Sequence, residues 1–124
     1  MNKFISCACL LSLSLFALSI NAEDQPQHYE GEESETLEEA LENFEASNER
    51  MEELLEGGDL GASEMNEIHK LTYTLENALA KIREETEIMA EELERVHLGS
   101  EAGDEEQIRS SGKTFLEKAE ILTD

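Results

Sequence analysis

The residues best suited to chemistry are two histidines, His69 and His97, with glutamates around them. Glu94-Arg95-Val96-His97 matches Glu-x-x-His, the helical motif with which di-iron bundles place a carboxylate and an imidazole on one face. Those bundles use two such motifs and two further glutamates, and only one motif is present. His69 and His97 share a flank but stand 28 residues apart, about 42 Å along a straight helix. They cannot ligate one metal unless the helix folds back. Glu94, His97 and His69 are therefore metal candidates on a single motif match, and glutamate is abundant enough for a chance match. A haem- or metal-binding bundle of the cytochrome b or di-iron type is the alternative reading of function.

Other chemistry lacks its residues. There is no Gly-x-Ser-x-Gly elbow, no Gly-rich phosphate loop, no Asp-x-Asp-x-Asp-Gly calcium loop and no Cys-x-x-Cys-His for covalent haem. The expectation is a chain that is not an enzyme, with no catalytic residue and no cofactor. Met51, Met65 and Met89 fall on apolar stripes, where core filling is their default role.

Charge narrows the partners. The 124 residues carry 31 Asp+Glu against 9 Lys+Arg, a net charge of -22. Nucleic acid and anionic membrane surfaces attract basic patches, so neither is expected as a partner. Residues 23–56 hold 14 acids and only Arg50 as a base. That segment is either simply solvated or a docking surface for a basic partner or loosely held cations.

The first 22 residues read as a secretory signal peptide. Lys3 precedes an apolar run from Phe4 to Ile20, and Asn21-Ala22 is followed at once by Glu23-Asp24. Cleavage is expected after Ala22, with Ser19 as the alternative. The run is short for a spanning helix, which needs about 20 apolar residues, so no stable membrane anchor is expected after cleavage. Cys7 and Cys9 both lie in this segment, and only Phe4-Ile5-Ser6 separates Cys7 from Lys3, too little for a lipoprotein signal. Beyond residue 22 the chain has no cysteine, hence no disulfide or thiolate metal site. Export to the periplasm or beyond is the expected localisation.

The remainder predicts an all-α chain, an antiparallel three-helix bundle with a long middle helix. Residues 23–35, with Pro26, Gly31 and six acids, read as a flexible acidic arm. Thr36-Leu37-Glu38-Glu39 fits a capping box that opens a helix over 37–56, which Gly57-Gly58 ends. Ser63 is placed to cap a second helix over 64–98. Met65, Ile68, Thr72, Leu75, Leu79, Ile82, Thr86, Met89, Leu93 and Val96 step 3-4-3-4 along it, a heptad seam widened by Leu71 and Ala78. Gly99-Ser100 is expected to stop it. Arg83-Glu84-Glu85-Thr86-Glu87 is a polar interruption without Gly or Pro, so the helix is expected to continue. A third helix over 105–122 begins after Asp104, its first half weakened by Ser110-Ser111-Gly112.

The outer two helices together nearly equal the middle one in length, about 57 Å against 52 Å. Short loops set them antiparallel to it, one over each half. Either the three are skewed enough to share a core, or a second copy completes the bundle as a homodimer.

Three stretches carry a resemblance: Tyr29-Glu30-Gly31 ahead of Thr36-Leu37-Glu38-Glu39-Ala40; Ile68-His69-Lys70-Leu71-Thr72-Tyr73-Thr74-Leu75-Glu76-Asn77-Ala78-Leu79; and Val96-His97 followed by Ser100-Glu101. The chain resembles a family of small secreted proteobacterial proteins filed as a domain of unknown function, number 6746. The likeness covers nearly all of the chain after the signal segment. It implies a Gram-negative periplasmic protein with a helical fold, and no activity or site residue. It draws interest to His69, Tyr73, Asn77 and His97, whose plain role would be to fix contacts beside the seam.

Overall fold

A computed structural model describes residues 29–123, and the expected signal segment lies outside them. Three helices follow in order: α1 (Leu37–Glu56), α2 (Ala62–Ala102) and α3 (Glu105–Thr123). At 1.5 Å per residue they measure about 30, 61 and 28 Å. α1 and α3 each pack along α2 and barely touch each other. The bundle is therefore two helices thick, with α1 and α3 laid one after the other along the same side of α2.

The ends follow from local chemistry. Thr36 caps α1 with a reciprocal box: its hydroxyl accepts from the Glu39 N–H at 3.2 Å, and Glu39 Oε2 accepts from the Thr36 N–H at 3.3 Å. Gly58, at φ 105°, turns the chain out of α1. α2 starts earlier than expected. Gly61 occupies the cap without a side-chain bond, and Ser63 lies inside the first turn. It also ends later, because Gly99 does not stop it. The N–H groups of Gly103 and Asp104 both donate to Gly99 O, and Gly103 takes the left-handed conformation at φ 70°. Such a conformation suits glycine and terminates the helix. Gly99 instead lets α3 approach: a Cβ there would stand 3.1 Å from Ile108 Cγ1. Asp104 caps α3, its carboxylate accepting from the Gln107 N–H at 3.0 Å. α2 runs unbroken through residues 83–87.

The seam is partly relocated. Ile68, Leu75, Ile82, Met89 and Val96 are half-buried, as a packed row should be. The second row against α1 and α3 is Leu71, Ala78, Glu85, Glu92 and Gly99, of which Ala78, Glu85 and Gly99 are buried. Small residues in this row let the outer helices come close. The row expected to complete the seam faces outward, with Met65, Leu79 and Leu93 at 58%, 51% and 50% exposure.

The expected flexible arm also differs where it is described. Residues 29–35 are docked along α2 as an extended strap, while residues 23–28 lie outside the described residues. Composition suggested an unpaired polar segment, but its backbone finds specific partners on α2.

Among the described residues the buried apolar core is small, consisting of Leu37, Ala40, Leu54 and Ala78. Against a net charge of -22, repulsion is a substantial opposing term. Raising salt from 0.01 to 0.1 M shortens the Debye length from about 30 to about 10 Å. The melting temperature at neutral pH should rise over that range, and thermal scans showing no change would contradict this account.

Candidate functional site

Polar residues gather under the strap and at the centre of α2, besides the ion pairs that Arg50 makes with Glu53 of α1 and Glu67 of α2. Under the strap, Gly31 lies directly on the α2 backbone. A Cβ at this position would be 2.3 Å from Thr74 N and 2.4 Å from the Tyr73 carbonyl carbon, so only glycine fits. This close approach lets the Glu32 N–H donate to Thr74 Oγ1 at 3.0 Å and Asn77 Nδ2 donate to Glu32 O at 3.2 Å. Asn43 of α1 reaches the other edge, donating to Glu33 O at 3.3 Å and Ser34 Oγ at 3.1 Å. The strap is thus held by both helices of the first hairpin.

Tyr29 anchors its outer end. Its ring meets His69 edge-on at 6.2 Å, and His69 meets Tyr73 in the same way at 5.2 Å. Lys70 Nζ stands 4.6 Å over the Tyr29 ring, a cation–π contact. Asn66 accepts from the Tyr29 hydroxyl at 3.5 Å, the outer limit of a hydrogen bond. His69 Nε2 is buried without a hydrogen-bond partner among the described residues. Tyr29, Gly31, His69, Tyr73, Thr74 and Asn77 thus meet in one place. These residues come from two of the stretches that carried the family resemblance. Tyr73 and Asn77 were expected to fix helix contacts, and Asn77 instead holds the strap. The spacing of Tyr29-Glu30-Gly31 gave no sign of this, because a close backbone approach 42 residues away leaves no local pattern.

The second arrangement is an ionic cluster. Glu85 is 10% exposed at its side chain and lies between two ammonium groups, bonding Lys118 of α3 and, at 2.9 Å, Lys81 one turn back on α2. Hydrogen bonds from Lys118 and then Lys81 hold its carboxyl below the ordinary carboxylate range, against the opposing effect of burial. Lys81 also reaches Glu84 at 3.2 Å, and its own pKa is raised by these two carboxylates. In the sequence Glu85 reads as part of a polar interruption. The signal was its heptad step from Ala78, which puts it in the buried row.

The metal candidates do not converge. His97 is exposed and faces Glu101 at 3.5 Å, while Glu94 borders the same open groove on α2. His69 is under the strap, about 42 Å away along the unbroken helix. Among the described residues, no group of three or more His, Cys, Asp or Glu side chains is arranged to hold a metal ion. No described helix is long and apolar enough to cross a membrane.

Among the described residues, nothing covers one face. Leu93 and Val96 line a groove on α2, and Val96 also lines its neighbour with Gly112 and Leu116 of α3. Leu116 is 64% exposed. Towards the other end, Leu55 of α1 is 57% exposed on the flank opposite Arg50 and Asn43, the side away from the strap. With Met65 and Leu79 between them, these residues form an apolar strip along the molecule; exposed Leu98 lies on another flank of α2. Polar contacts hold the strap side together, and the opposite side is apolar and open.

No curated protein and no solved structure matches this chain. A family model does match it, over residues 1–124, including all three stretches that meet around the strap and along α2. The chain belongs to that family, described as a family of unknown function (DUF6746).

Proposed function

We propose that this protein is a non-enzymatic helical interaction or structural protein, exported to the periplasm of a Gram-negative bacterium. The observation that carries the reading is the apolar strip running from Leu55 through Met65, Leu79 and Leu93 to Leu116. Several large apolar side chains exposed along one face mark an interaction site. Several polar residues have structural partners elsewhere: Asn77 and Thr74 bind the strap, and Glu85 joins α2 to α3. Export rests on the apolar run Phe4–Ile20 with Asn21-Ala22 at its end.

Protein purified from its native host tests the function directly. It should be colourless in the visible range and free of stoichiometric iron or other metal. A haem absorption band, or one metal per chain, would overturn the reading in favour of a cofactor-binding bundle. N-terminal sequencing of the same material should begin just after Ala22. A product retaining Cys7 would defeat the export part alone.

A further inference from the structure

We propose that the open face of α2 is the interface of an antiparallel homodimer with its two-fold axis at Leu79. This inference deepens the interaction reading above by naming the partner as a second copy of the chain.

One row at heptad spacing runs Met65, Thr72, Leu79, Thr86 and Leu93, all exposed except the half-buried Thr72. Its chemistry reads the same in both directions, large apolar residues alternating with threonines about Leu79. A two-fold interface requires this property, because each residue i that meets j must also be met as j by i. About an axis at Leu79, Leu79 meets its own copy, Met65 meets the partner's Leu93, and Thr72 meets the partner's Thr86. In an antiparallel pair each flank of the row faces the same flank of the partner. On the α1/α3 side, Ile68 then meets the partner's Met89 and Leu75 meets the partner's Ile82, so half-buried apolar residues pair with one another.

Charge selects the same register. On the other flank lie Glu76 and Arg83, both exposed. Among the described residues neither makes an ion pair within its own chain. Across the Leu79 axis each Arg83 falls beside the partner's Glu76, giving two symmetric pairs. Sliding one copy by a full heptad moves the axis half a heptad and sets Arg83 against the partner's Arg83, which like-charge repulsion disfavours. The outer helices also favour the antiparallel arrangement. α1 carries eight acids and one Arg, whereas α3 carries four acids and three bases. Antiparallel packing places α1 over the partner's α3; a parallel pair would set α1 against α1.

The size is sufficient. A face about 61 Å long and two helices wide offers on the order of 1,000 Å² per copy, within the range of specific dimers. The second copy converts a two-helix layer into a four-helix cross-section and covers Leu55 and Leu116 as well as the central row.

Cysteine crosslinking and sedimentation test this together, in the processed protein that begins after Ala22 and has no cysteine of its own. Leu79→Cys should crosslink to itself under mild oxidation at low micromolar concentration. Met65→Cys and Leu93→Cys should crosslink when mixed, and neither should crosslink efficiently alone. Self-crosslinking of Met65→Cys and Leu93→Cys would show a parallel pair and overturn the proposal. Sedimentation equilibrium of the unaltered chain in moderate salt should show a dimer, and a strict monomer at high micromolar concentration would also overturn it. Leu79→Lys should weaken association at least 100-fold with unchanged helical circular dichroism, because Leu79 is half-exposed in the single chain. Arg83→Glu should weaken association about ten-fold, and adding Glu76→Arg should restore it; no recovery in the double variant would reject the register. A monomer that remains colourless and metal-free would remove the dimer and leave the interaction reading standing.

Discussion

Glu85→Ala should lower the melting temperature by roughly 8–16 °C. Removing one member of a buried ion pair costs about 3–5 kcal/mol when the remaining charge is fully buried. Lys118 and Lys81 keep 26% and 18% side-chain exposure, so a cost of about 2 kcal/mol is expected, at about 4–8 °C per kcal/mol for a domain of this size. Glu85 lies where α3 ends against the middle of α2, so the lost contact loosens the α2–α3 hairpin. The double variant Glu85→Leu/Lys118→Leu should recover much of the loss, since apolar residues of similar size can replace such a pair. A single variant as stable as the unaltered chain would show that the cluster adds nothing. The pH dependence has a defined sign. The Glu85 carboxyl is held below its unfolded value, so its contribution is present above about pH 4.3 and is lost as pH falls through the lower folded value. The stability gap between the unaltered chain and Glu85→Gln should therefore be widest near neutral pH and close below about pH 4. A gap of constant size from pH 7 to 3 would contradict the depressed carboxyl.

Gly31→Ala should release the strap. The added methyl would lie 2.3 Å from a backbone nitrogen of α2, and a helix backbone cannot retreat from it as a flexible side chain could. The strap must lift, losing the bonds of Glu32 to Thr74 and Asn77 together with the packing of Tyr29 on His69. Two hydrogen bonds at about 1 kcal/mol each, plus part of the half-buried Tyr29 ring, give an expected loss of about 2–3 kcal/mol. Amide exchange at Glu32 should accelerate at least ten-fold, while helical circular dichroism is retained. Unchanged exchange at Glu32 would mean that the strap is not held through Gly31. Asn77→Ala should give a milder form of the same effect, because it removes one bond and leaves the close backbone approach intact.

The helices were legible because their signals are local. The Thr36/Glu39 box, the glycines after α1 and the apolar periodicity of α2 each act within a few residues, and α1 begins and ends where they place it. The continuity of α2 through Glu85 was readable in the same way, from the absence of Gly or Pro. Gly99 shows the limit of such rules. Local propensity marks it as a stop, yet helix-to-helix approach gives it a place inside α2, and Gly103 ends the helix.

Three features were decided by the tertiary structure. Which two of the three heptad rows of α2 face inward depends on where α1 and α3 lie, and heptad spacing alone does not decide it. The outcome buried Ala78 and Gly99 and left Met65, Leu79 and Leu93 outside, because small residues permit closer helix packing than large ones. The strap could not be read from an acidic, proline-containing segment, since its stability comes from backbone groups meeting Thr74 and Asn77 more than 40 residues away. Glu85 looked like one more surface acid among 31 until Lys118 was brought to it from α3. Sequence by itself determined the elements, their ends within a few residues and the charge they carry, since these depend on neighbours along the chain. Packing decided which surface is core, which is clasped by the strap and which is left open, since these depend on groups that only folding brings together.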